Sequence, residues 1–280
     1  MSFISDFKTS SIPLFGQGYS PAPSTSSSTT TGTGVLDPNL EAEVGQKFQT
    51  ADGRTVALVQ NGTVALAAGV LVQSPAEVTA FQKLSMTVPS TYPATAGTYQ
   101  VLVTNGSTVL NINQFAGGFL EVASGTGIGQ LLRIASHTAG TNAGTFVVTL
   151  EDAIVTTLDA TSKVSLLYNP YDGVVINPTT ATGAPVGVSL YPIAASTAPT
   201  YNNTTGALTA AGVAQYGFIV THGFASVLVD STVTNVGYPI GRSAATAGAV
   251  GVATLTTVAQ VGVSAQTLTS ANNGLVTLFL

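Results

Sequence analysis

The sequence predicts a mainly β protein: small β-barrel or sandwich modules joined by extended loops and preceded by a flexible N-terminal arm. Three observations predict it. Short segments rich in Val, Thr, Phe and Leu recur between Gly, Asn-Gly and Pro turn signals, which is the punctuation of barrels and sandwiches. Helical periodicity is thin along the whole chain. The apolar share, 45%, is mostly Ala and Val, with aromatics at only 7%, and Val and Thr suit pleated, half-buried surfaces.

Residues 1–34 read as an arm. Phe3, Ile4, Phe7, Ile12, Leu14 and Phe15 are scattered through its first part without a firm period. Pro21 to Gly34, PAPSTSSSTTTGTG, is a low-complexity stretch of linker composition. An apolar peptide on such a tether suits docking onto a partner.

Residues 35–84 read as a β meander with strands Val44–Gln49, Arg54–Gln60, Thr63–Leu66 and Val70–Gln73. Asp52-Gly53 and Asn61-Gly62 are its hairpin signals, because Asn, Asp and Gly tolerate the positive φ of tight turns. Ala76–Leu84 reads as a short helix capped by Ser74, with Pro75 at its first position. Residues 85–168 read as a β domain with strands Thr98–Thr104, Ser107–Ile112, Phe119–Val122, Gln130–Ser136, Gly144–Leu150 and Lys163–Tyr168, the last two paired. Residues 169–209 carry Pro170, Pro178, Pro185, Pro192 and Pro199. Proline cannot donate to a sheet ladder, so this stretch reads as an extended strap rather than a run of central strands. Residues 210–280 form a C-terminal β module with strands Gly217–Thr221, Ala225–Asp230, Thr246–Ala253 and Val276–Leu280. Turns are placed at Gly237, Gly241 and Asn272-Asn273-Gly274. The first and last modules share Val-rich strands and Ala-Gly-Val turns (Ala68-Gly69-Val70, Ala247-Gly248-Ala249-Val250), so they read as related small barrels.

Composition narrows function. The chain has 280 residues, enough for two or three domains. Only 7% are charged, against about 25% in ordinary globular proteins. Such a surface fits burial in an assembly or an exposed, protease-resistant shell. The net charge is −5, and the seven cations (Lys8, Lys47, Arg54, Lys83, Arg133, Lys163, Arg242) are scattered. Nucleic-acid binding by phosphate neutralisation is therefore not expected. Absence of cysteine excludes disulfides and thiolate metal sites. Mean hydropathy is +0.41, yet the longest strongly apolar run, Val64 to Val72, falls short of the ~20 residues a spanning helix needs. Met1 to Ser10 lacks the apolar core of a secretory signal. The product is expected to act where it is made or to leave inside a particle.

Candidate chemistry is sparse. Ser124-Gly125-Thr126-Gly127-Ile128-Gly129 lacks the glycine spacing and the following helix of a dinucleotide fingerprint, and lacks the Gly-Lys-Ser/Thr of a P-loop; it reads as a turn. His137 and His222 sit in no His/Glu cluster, so no zinc site is expected. Glu151-Asp152, Asp159, Asp172 and Asp230 are the carboxylates available for paired acid/base work, but no Trp is present to form a sugar platform. There is no Asp-x-Asp-x-Asp calcium loop and no Gly-x-Ser-x-Gly elbow. Asn61-Gly62-Thr63, Asn105-Gly106-Ser107, Asn202-Asn203-Thr204 and Asn203-Thr204-Thr205 match glycosylation acceptors by chance in a Thr-rich chain. The expectation is no catalytic residue, no metal and no cofactor.

Three blocks of residues carry a resemblance. The first is Val44-Gly45, Asp52-Gly53-Arg54, Gln60-Asn61-Gly62-Thr63 and Leu66 to Pro75. The second is Ala116 to Val122, Gly125 to Gln130, Arg133-Ile134 and Ser136-His137-Thr138. The third is Tyr216 to Thr221, Gly223, Val227 to Asp230, Gly241 and Ala247 to Gly251. The first two resemble virion structural proteins of tailed phages, and the third is similar to the barrel of phage capsid decoration (cement) proteins. The resemblance covers roughly 43–280 and rests on glycine and turn patterns. It implies a non-enzymatic protein of the capsid exterior, made in the host cytoplasm, that bridges neighbouring major capsid protein subunits. It implies a homo-oligomer as well: a trimer is expected because capsid lattices offer local three-fold positions, with a dimer at two-folds as the alternative. By their composition, the arm and the strap are the expected contact segments. A head or tail fibre binding host-surface glycan is the rival reading, with Tyr92, Tyr99, Tyr191 and Tyr201 as its available aromatics.

Overall fold

The computed structural model describes residues 42–82, 86–91, 94–253 and 260–280. The expected arm, 1–34, lies outside the described residues, as does Tyr92. The described chain is almost entirely β. In chain order its strands are β1 (Lys47–Gln49), β2 (Thr55–Asn61), β3 (Leu71–Gln73), β4 (Met86–Thr87), β5 (Gln100–Thr104), β6 (Phe119–Ser124), β7 (Leu131–His137), β8 (Thr145–Leu150) and β9 (Lys163–Leu167). Then follow β10 (Asp172–Ile176), β11 (Pro185–Ser189), β12 (Thr200–Tyr201), β13 (Leu208–Ala210), β14 (Tyr216–Leu228), β15 (Pro239–Arg242), β16 (Val250–Val252), β17 (Gln260–Ser264) and β18 (Asn273–Phe279). They fall into two compact units. One takes the residues up to Pro75, Pro170–Thr197 and Val213–Leu280; the other takes Ala76–Asn169 and Ala198–Gly212.

The second unit is a closed barrel in the order β4-β5-β8-β7-β6-β9. Its strands alternate strictly enough to build it. In β8, Phe146, Val148 and Leu150 are buried while Thr145, Val147 and Thr149 turn outward. In β5, Val101 and Val103 face in. A barrel of so few strands is filled by its own side chains, and here Phe81, Phe115, Phe146, Leu120, Leu166 and Ile134 do the filling. The expected pairing of 144–150 with 163–168 is not what forms. Strand β8 pairs with β5 and β7, while β9 pairs with β4 and β6, because closure joins the consecutive pairs β4–β5, β6–β7 and β7–β8 through the long-range pairs β5–β8, β6–β9 and β4–β9.

The first unit contains two rings that share one strand. Strand β2 pairs in parallel with β10, β10 pairs with β3, β3 with β11, β11 with β14, and β14 returns to β2. Every strand of this ring supplies a residue to one apolar cluster: Val59, Val174, Val72, Val186 and Ile219. The opposite face of β2, β3, β11 and β14 feeds a second cluster through Val56, Leu58, Leu71, Val188 and Phe218. Strand β2 is thus buried on both faces, which is why VALV lacks alternation. The second half of β14 pairs with β18, then β17, β15 and β16 follow. A parallel bridge from Val229 to Val250 brings this run back on itself. The expected strands 217–221 and 225–230 are therefore one strand of 13 residues. It passes between rings at Gly223, whose φ of +91° favours glycine and whose added Cβ would meet Arg54 Cα at 3.3 Å.

The two rings repeat one local device. Ser189 accepts from Gly69 N–H through its carbonyl (2.8 Å) and from Val70 N–H through its hydroxyl (3.0 Å), and donates to Ala67 O (2.6 Å). Ser264 accepts from Gly237 N–H (2.7 Å) and Tyr238 N–H (3.0 Å) in the same way and donates to Asn235 O (2.8 Å). Gly69 and Gly237 share positive φ, +72° and +79°. The correspondence joins Gly69 to Gly237 rather than to the Gly248 turn.

Other local expectations shift for identifiable reasons. Asp52-Gly53 does turn β1 into β2, with φ of +84° at Gly53. Asn61-Gly62 and Asn105-Gly106 do not make hairpins: β3 pairs with β10 and β11 rather than β2, and Ser107–Ile112 is no strand. The strap expected over 169–209 contains two ring strands, β10 and β11. Its prolines punctuate those strands: Pro178 and Pro192 lie beyond their ends and Pro185 opens β11, a position where a missing N–H is tolerated. In place of the helix over 76–84 there is a 3₁₀ turn, Thr79–Phe81, with Val78 at its start and no side-chain cap. Ser74 instead accepts from Ala184 N–H at 3.0 Å.

Candidate docking surfaces

The expected chemical residues are placed apart. His137 is buried in the barrel between the rings of Phe115 and Phe146. Its Nε2 accepts from Phe115 N–H at 3.0 Å, and its Nδ1 lies 2.9 Å from Thr138 O, which fixes the neutral tautomer with the proton on Nδ1. Burial pushes its pKa below the ordinary value. The ring is therefore a strut for the 111–118 loop, reinforced by His137 N–H donating to Asn113 Oδ1 at 2.9 Å. His222 is exposed on β14, in the other unit.

The carboxylates are scattered too. Glu151 pairs with Arg133 at 3.3 Å. Asp159 accepts from Thr126 (2.8 Å) and Thr161 (2.6 Å), and these bonds hold its carboxyl below the ordinary range. Asp230 accepts from the Ser243 hydroxyl. Asp172 is half-buried, and the desolvation pushes its carboxyl up. Among the described residues no group of three or more His, Asp or Glu could hold a metal ion. Nor is any helix there long and apolar enough to cross a membrane.

What the structure does assemble is apolar surface on rigid supports. The glycine-rich stretch is the turn from β6 to β7, with Gly125, Gly127 and Gly129 all at positive φ. Gln130 staples this turn to the 151–158 loop. Its Oε1 accepts from Val155 and Thr156 N–H at 2.9 and 3.0 Å, and its Nε2 donates to Thr156 O and Gly127 O at 3.0 and 3.1 Å. All the hydrogen-bonding capacity of the amide is used, so both loops are held. On them Ile128 is 66% exposed and Val155 76% exposed, and Leu131 beside Gln130 is also exposed. Three aliphatic side chains thus stand outward on one stapled barrel rim.

A second surface lies on the outer face of β14 and β18. Inward, Ala225, Val227, Val276 and Leu278 enter the core. Outward, the register sets His222 opposite Phe279, Phe224 opposite Thr277 and Ser226 opposite Leu275. Phe224 and Phe279 are 54% and 53% exposed, and the His222 and Phe279 rings stand 6.2 Å apart. Neither strand carries an Asp, Glu, Lys or Arg. Of the tyrosines available to a glycan site, Tyr99 is exposed whereas Tyr191 and Tyr201 are half-buried.

No family model, curated protein or solved structure matches this chain.

Proposed function

We propose that the chain is a structural virion protein of a tailed phage that binds the outer surface of the capsid and cements neighbouring major capsid protein subunits. The observation that carries the reading is the stapled rim. Ile128, Leu131 and Val155 are aliphatic, outward and held by the four hydrogen bonds of Gln130. Such side chains are already held in place, so they lose little conformational entropy on docking, and their apolar surface gains by leaving water. The resemblance of the first two blocks to tailed-phage virion structural proteins, that of the block from Tyr216 to Gly251 to the barrel of capsid decoration proteins, and the low overall charge support the same role. A repeating lattice then multiplies modest contacts into firm retention. The proposed working form is a homo-oligomer, with a trimer at local three-fold positions.

Burying one such aliphatic side chain is worth about 1.5–3 kcal/mol when complete. Ile128→Ser with Val155→Ser is therefore expected to weaken each capsid contact by about 2–4 kcal/mol, on the order of 30-fold or more. Cosedimentation of the purified protein with capsids lacking it tests this. The unaltered chain is expected to saturate the heads, and the double variant, with unchanged thermal stability, to be retained poorly. Binding to host cells or glycan without binding to heads would instead support the fibre reading, which the exposed Tyr99 favours.

A further inference from the structure

We infer that the outer face of β14 and β18 is the seat of this chain's own N-terminal segment, residues 3–15. The face is a defined apolar strip: Phe224, Phe279 and Leu275 are exposed beside His222, over a fully packed core, with no charge on either strand. Strand β18 has hydrogen-bonded neighbours on both sides, β14 and β17. Strand β14 pairs with β2 and β11 only as far as His222, and beyond it with β18 on one side and through Leu228 N–H to Gly69 O on the other.

Its size identifies the kind of occupant. Two half-exposed Phe and one Leu present about 250–300 Å², since a Phe buries roughly 150–250 Å² when fully covered. A stable association of two folded proteins needs about 800 Å² from each. The strip is too small for that and fits a short apolar peptide.

The chain supplies one. Phe3, Ile4, Phe7, Ile12, Leu14 and Phe15 lie in its first fifteen residues, with Asp6 and Lys8 as the only charges and of opposite sign. The described chain begins at Ala42, which packs on the same apolar cluster as Leu280. Gly45 donates to Leu58 O, and Leu58 stands opposite Phe218. From Phe218 to Phe224 along β14 is about 20 Å at ~3.3 Å per residue. The 26 residues from Gly16 to Glu41 reach a root-mean-square span of about 28 Å in a chain of Gly/Ser-like composition. Tether and target therefore match. Within one chain the effective concentration of the peptide is of millimolar order, which favours the chain's own strip over a neighbour's.

The chain has no tryptophan, so Phe224→Trp in the full chain is a unique reporter. The expected result is a blue-shifted emission that does not change with protein concentration. It should shift to the red when Phe3, Phe7 and Phe15 are also changed to Ser. Red emission in both variants, or blue emission in both, would overturn the inference, because the segment would then not be what covers Phe224. A blue shift that grows with concentration would also overturn it and assign the strip to a second copy. The inference does not depend on the capsid reading: this readout needs only the purified protein.

Discussion

Asn61 is 1% exposed and donates from its amide to Val64 O at 2.9 Å and Ala194 O at 2.7 Å, with Ile193 O at 3.5 Å. Changing it to Ala removes two good bonds worth about 1 kcal/mol each and leaves the part-buried Val64 and Ala194 carbonyls without that donor, a further ~1–2 kcal/mol together. The expected loss is about 2–4 kcal/mol. In a unit of this size that lowers the midpoint by roughly 5–15 °C. Asn61→Asp should be worse than Ala near neutral pH, because a carboxylate would face those carbonyls with no proton to give. Asn105 makes the matching contacts in the barrel, donating to Thr108 O (2.7 Å), Thr141 O (3.0 Å) and Gly140 O (3.3 Å). Asn105→Ala should therefore cost a similar amount. Differential scanning calorimetry of the three variants measures this. A shift under about 2 °C for Asn61→Ala, or an Asp variant no worse than the Ala variant, would show that these bonds do not hold the loop.

Further outcomes follow from burial and backbone geometry. Because the folded pKa of His137 is lowered, its contribution is present above the ordinary value of 6.5 and is lost as pH falls below it toward the folded pKa. Urea midpoints at pH 7 and pH 5 should show this drop, and His137→Gln, which can still accept from Phe115 N–H, should lack it. Asp172 has a raised folded pKa, so its carboxylate destabilises the fold increasingly as pH rises above the ordinary 3.8 through the folded value. Asp172→Asn should raise the melting temperature at pH 7, and that gain should vanish below the ordinary value. A Cβ on Gly262 would stand 2.1 Å from Thr277 O, while one on Gly53, at φ +84°, meets nothing within 4 Å. Gly262→Ala should cost about 3 kcal/mol or more by forcing β17 from β18, and Gly53→Ala only the ~1–2 kcal/mol of the left-handed backbone, as chemical denaturation would show.

What was legible in the sequence was what local chemistry decides. Val- and Thr-rich segments between glycine turns do form a mainly β protein, and Asp52-Gly53 turns a hairpin because its positive φ is a local requirement. The Gly125–Gly129 stretch reads as a turn for the same reason. Asn61-Gly62 carries the same signature yet serves another purpose, since its Asn amide is claimed by a carbonyl 133 positions away. No window of sequence contains that partner. The prolines of 169–209 were visible, but whether they interrupt strands or bound them depends on strand ends that only β3 and β14 define. The exposed apolar surfaces were hidden for a related reason. Ile128 is a turn residue like any other until Gln130 reaches Val155, 25 positions away. Phe224 and Phe279 become neighbours of one strip only through the register of β14 with β18.

The most direct test of the proposed role is a count of copies bound when the purified protein is mixed with capsids that lack it, together with the heat resistance of the resulting heads. Saturation at a fixed ratio to the major capsid protein is expected, with a higher temperature of DNA release than in bare heads. A few copies per particle, or saturation with no gain in heat resistance, would contradict it.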